Sequence, residues 1–60
     1  MGFYDPTFNI GVVKLIRERF LGKFGYLMGW NLLHEHEKVW VISQAFLCGI
    51  SAREVENYWY

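Results

Sequence analysis

The sequence predicts an all-α fold, one small domain of three helices preceded by an ordered aromatic N-terminal arm. Three observations carry that expectation. Val13, Ile16, Phe20, Phe24 and Leu27 recur at helical spacing and make one apolar stripe. Residues 39–52, "VWVISQAFLCGISA", carry no charge and lead into a helix stop followed at once by a helix start. The chain has 60 residues, which allows one hydrophobic core at most.

The elements follow in order. Residues 1–8 are expected to form the arm, and 9–60 the helices. In "GFYDPTF", Asp5 before Pro6 suits a turn, or a helix N-cap with proline in the first helical position. Helix one is expected from Phe8 or Asn9 to about Gly22 or somewhat beyond, with Lys14, Arg17, Glu18 and Lys23 mainly off its apolar stripe. Gly22, Gly25 and Gly29 interrupt the middle, either as a loop or as a helix face that lets a second backbone approach; Gly25 and Gly29 also have the spacing of a membrane-helix packing motif. Helix two is expected from about Glu37 to Cys48. Its Val39, Ile42, Phe46 and Gly49 share one face, with Val41, Ala45 and Cys48 beside it. A helix so apolar all round should be covered on most sides. "VWVI" also suits a strand, which leaves that alternative open. Helix three has the sharpest start: Gly49 for a left-handed helix end, Ser51 as N-cap, Glu54 three positions later, and Ile50 with Val55 as a hydrophobic staple.

Composition narrows the function classes. Hydrophobic residues make up 53% and aromatic ones 20%, with zero formal net charge. A disordered chain is poorer in apolar residues and more charged, and a small nucleic-acid binder is usually strongly basic. The uncharged stretch is too short for a transmembrane helix. Residues 1–13 lack a basic leader region, and Pro6 stands where a myristoylation signal needs Ser or Thr. Cys48 is the single cysteine, between Leu47 and Gly49, so it reads as a core thiol in a cytoplasmic or other reducing compartment.

No catalytic set, metal site or cofactor is expected, and the chain reads as a non-enzyme. His34 and His36 alternate with Glu35 and Glu37, but residues two apart on a helix point about 200° away from each other. The "HEHEK" segment therefore reads as a solvated, pH-sensitive linker into helix two. "GKFGYLMG" lacks the ending of a phosphate-binding loop.

Across residues 41–59 the pattern "VISQAFLCGISAREVENYW" resembles a helix-turn-helix motif, with Ala45 at the helix crossing, Gly49 in the turn, Ile50 plugging it, and Val55 and Tyr58 facing inward. Within it, "GISAREVENY" resembles the recognition helix of LuxR-type regulators. That resemblance implies a DNA-facing set of Ser51, Arg53, Glu56 and Asn57, with Arg53 suited to guanine and Asn57 to adenine. Charge opposes it: from Glu35 onward four glutamates face two basic residues, while Lys14, Arg17, Arg19 and Lys23 gather on helix one. "HEKVWVISQAF" is also similar to the Ser-Gln motif of small sporulation phosphatases, but Ala45, Phe46 and Leu47 stand where that chemistry needs an acidic residue.

Three helices of this size are not expected to cover twelve aromatic residues. The expected activity is therefore protein binding, to a second copy or within a larger complex, through Phe3, Tyr4, Trp40, Phe46, Trp59 and Tyr60. Sequence-specific DNA binding is the alternative.

Overall fold

The computed structural model describes residues 6–59. They form three α-helices: α1 (Pro6–Phe24), α2 (Glu35–Leu47) and α3 (Ala52–Tyr58), with one 3-10 turn at Trp30–Leu32 between the first two. Each helix packs against both others. No strand occurs among the described residues, so "VWVI" is helical.

Helix α1 starts earlier and ends later than its sequence suggests. Pro6 is its first residue, so positions 6–8 belong to the helix rather than to an arm. Proline there has its φ already set, and its missing N–H is one the helix start would leave unpaired anyway. Phe3 and Tyr4 lie outside the described residues. The helix runs through Gly22 and stops at Gly25, whose φ of 83° is the left-handed conformation glycine adopts without cost. Gly25 and Gly29 therefore flank a linker, not a helix face, and the membrane-packing reading is overturned. Leu27 leaves the stripe with them and is exposed.

The core is compact and aromatic at one end. Val13, Ile16 and Phe20 of α1 meet Val41 and Ala45 of α2, Val55 of α3, and the flanking Leu33, Ile50 and Trp59. Phe20 is its hub, with ring contacts to Phe24, Tyr26, Trp40 and Trp59 at centroid distances of 4.5 to 6.0 Å. Edge-on and tilted pairs of this kind add about 0.5–1.5 kcal/mol beyond the area they bury.

The α2–α3 turn follows the residue-by-residue expectation. Ile50 N–H donates to the Ala45 carbonyl (3.0 Å) and Gly49 N–H to that of Phe46 (3.1 Å), with Gly49 at φ 81°. These are the paired bonds that close a helix on a left-handed glycine. Ser51 Oγ then accepts from Glu54 N–H (3.3 Å), and Ile50 and Val55 are both buried. Among the described residues no helix is long and apolar enough to cross a membrane.

Candidate functional site

Helix α2 has two unlike faces. Its inner face carries Val41 and Ala45, fully buried, with Glu37 one turn earlier. Its outer face carries Val39, Ile42, Ser43, Phe46 and Leu47, all exposed; Phe46 and Leu47 are 81% and 79% open to solvent. The covering on most sides expected from its composition is not supplied by the described residues, which leave this face open. Two partner helices can screen only one side of a third. The outer row has helical spacing, with Val39, Ile42 and Phe46 at i, i+3 and i+7. Ile42, Ser43, Phe46 and Leu47 line a shallow apolar depression. The Ser43 hydroxyl, the polar group in mid-row, donates to the Val39 carbonyl within the helix (3.0 Å). Covering this row would leave that hydroxyl paired, so it removes the usual penalty for burying a polar side chain.

The aromatic residues proposed from sequence divide accordingly. Phe46 stands on the open face. Trp40 is half-buried, edge-on to Phe24 at 5.6 Å and to Phe20. Trp59, proposed from sequence as a contact residue, is instead fully buried. Its ring packs edge-on to Phe20 and Trp30, and its Nε1–H donates to the Met28 carbonyl (2.7 Å). The position after α3 folds inward because the 25–34 linker gives the indole both a stacking partner and an acceptor. Tyr60 lies outside the described residues.

The set suggested for DNA comprises the N-cap of α3 and three residues of that helix. Ser51, Arg53, Glu56 and Asn57 are all exposed. Glu56 and Asn57 also line an open groove against Gly29, Trp30, Asn31 and Leu32. Glu54 points the other way, accepting from Asn9 Nδ2 (3.2 Å) and tying α3 to the start of α1. Arg19 makes a similar tie to α2 by donating to Gln44 Oε1 (3.2 Å).

The "HEHEK" segment is the start of α2 rather than a linker: His34, Glu35 and His36 are exposed as expected, but Glu37 is not. His34 is the N-cap position and Glu35 the first helical residue of α2. Glu37 is buried: its Oε1 accepts from His34 N–H (2.6 Å), and its Oε2 accepts from the Tyr26 hydroxyl. The Tyr26 hydrogen bond, then the His34 N–H and the His34 and His36 charges, hold the Glu37 carboxyl below its ordinary range despite the opposing effect of burial. The same hydrogen bond, with burial and the carboxylate charge, raises the Tyr26 phenol. The clasp pins the linker to the start of α2. The sequence signal for it was Glu37 three residues after a helix N-cap, and it was obscured because histidine is an uncommon cap. His34 and His36 lie parallel with ring centroids 6.0 Å apart, and no cluster of three or more His, Cys, Asp or Glu side chains suited to a metal occurs among the described residues.

Comparison with known proteins finds no matching family model, no matching curated protein and no matching solved structure.

Proposed function

We propose that this chain is a non-enzymatic protein-interaction module, a small regulator or accessory subunit that engages its partner through the outer face of α2. One observation carries the reading: Val39, Ile42, Phe46 and Leu47 form an exposed apolar row at helical spacing, and the serine within it has its hydroxyl turned back onto the backbone. Single exposed apolar side chains are ordinary, whereas a contiguous row marks an interaction surface. An amphipathic helix presented this way docks through anchors at i, i+3 and i+7. The test is affinity capture with the wild-type chain and with Phe46→Glu. A partner held by the first and lost by the second supports the reading; equal capture by both contradicts it.

A second reading is a sequence-specific DNA-binding regulator. The observation in its favour is the exposure of Ser51, Arg53, Glu56 and Asn57 on one short helix whose sequence resembles a LuxR-type recognition helix. The acidic balance of residues 35–60 opposes it. A salt-sensitive, sequence-selective dissociation constant below about 10⁻⁷ M would favour this reading over the first.

A further inference from the structure

Helix α1 carries a second stripe beside the one it buries. Ile10, Lys14, Arg17 and Leu21 stand at i, i+4, i+7 and i+11. The later part of this stripe forms a shallow cleft with the linker, lined by Lys14, Arg17, Glu18, Leu21 and Leu27. Two cations therefore stand beside two leucines. Arg17 is half-buried, and its Nε is wholly buried with no hydrogen-bond partner. Neither Arg17 nor Lys14 takes part in an ion pair among the described residues, although Glu18 follows Lys14 by one turn. The other two cations of α1 are engaged: Arg19 donates to Gln44, and the Lys23 ammonium lies over the Phe24 ring.

A desolvated donor without a partner is unfavourable, and nothing in the packing of α1 offsets it. Arg17 has already lost part of its water in the free chain. An arriving anion therefore meets a charge less screened than one on an open surface.

Three features select that anion. The guanidinium fork matches the paired oxygens of a carboxylate or phosphate, and Lys14 adds a point charge. Leu21 and Leu27 offer apolar contact, which a nucleic-acid backbone does not use. Glu18, in the same cleft, repels the continuous row of negative charge that a duplex or an anionic bilayer presents. A single carboxylate with an apolar neighbour meets the cations and the leucines and avoids that repulsion.

We propose that Lys14 and Arg17 receive a side-chain carboxylate from a partner protein, on a segment whose neighbouring apolar residue rests against Leu21 and Leu27. The site shares no residue with the outer face of α2. It goes beyond the interaction reading above, and it stands or falls separately.

Fluorescence anisotropy tests it with a short labelled peptide alternating aspartate and leucine, and with the same peptide carrying asparagine for aspartate. The full chain should bind the aspartate peptide about ten-fold more tightly than the asparagine one. Arg17→Gln should weaken binding about ten-fold, and Arg17→Lys should fall between because an ammonium cannot form the fork. Lys14→Gln should weaken it about two- to five-fold, and Lys23→Gln, outside the cleft, by less than about two-fold at physiological salt. The Arg17 Nε–H resonance should shift as peptide is added. Circular dichroism checks that each variant is folded. Should Arg17→Gln lose helicity, Lys14→Glu at an exposed position carries the test and should abolish binding. Equal affinity for the two peptides overturns the proposal, as does an equal loss from Lys23→Gln and Lys14→Gln. Tighter, Arg17-dependent binding to phosphatidylserine vesicles or to duplex DNA overturns the carboxylate as the ligand.

Discussion

Val41 and Val39 are two residues apart on the same helix, yet one is wholly buried and the other 58% exposed. Both belong to an uninterrupted β-branched and aromatic run, and composition does not tell them apart. The inner face of α2 is fixed by what the rest of the chain supplies: Phe20 of α1, Val55 of α3 and a carboxylate clasp at the helix start. Among the described residues none covers the outer face. The same apolar chemistry therefore stabilises the fold on one side and is available for binding on the other.

Perturbing the inner side should unfold the domain, and perturbing the outer side should leave it folded. The largest effect is expected at Trp59, which closes the core from beyond α3. Trp59→Ala should cost about 3–5 kcal/mol and leave little folded protein at room temperature, seen as loss of helical circular dichroism. Next, Val41→Ala should cost about 2 kcal/mol through lost burial and the cavity left behind. Val39→Ala should stay within about 0.5 kcal/mol. Denaturant unfolding of this pair measures the contrast directly; similar losses at both positions would break it.

Ser51→Ala should cost about 1 kcal/mol by removing the cap on α3, and lower the melting temperature by several degrees in a domain this small. Thermal melts in dilute protein check it, and an unchanged melting temperature would contradict the capped turn.

Tyr26→Phe removes a hydrogen bond to buried Glu37 that is present at neutral pH, and its distinctive signature lies in pH dependence. The folded Glu37 carboxyl titrates below its unfolded value, so its contribution is present above the ordinary carboxylate range and is lost as pH falls through the folded value. Removing the Tyr26 hydroxyl should raise the Glu37 titration in carbonyl NMR and move acid unfolding to higher pH. The raised Tyr26 phenol acts at the other end: its contribution is present below the ordinary phenol range and is lost as pH rises through the folded value. Tyr26→Phe should therefore also remove a step from the alkaline limb.

What the sequence made legible is local. Gly49, Ile50, Ser51 and Val55 specify the α2–α3 turn within seven residues, and each occupies the place its chemistry suggests. Val13, Ile16 and Phe20 mark the buried side of α1 by spacing alone. What could not be read depends on contacts across the chain. Trp59 is buried because Met28 and Trp30, some thirty positions earlier, supply an acceptor and a ring. Glu37 is buried because Tyr26 returns from the linker to meet it. The open side of α2 was hidden by its composition, since an all-round apolar helix shows no periodicity to say which side faces out.

The central claim is that the two sides of α2 are separable, one for folding and one for association. It is tested most directly by measuring partner capture and the dilute-solution melting temperature of wild type and Phe46→Glu on the same preparations. The two melting temperatures should lie within a few degrees of each other, with a partner captured by the wild type alone. A Phe46→Glu chain that melts far lower, or one that associates as the wild type does, would contradict it.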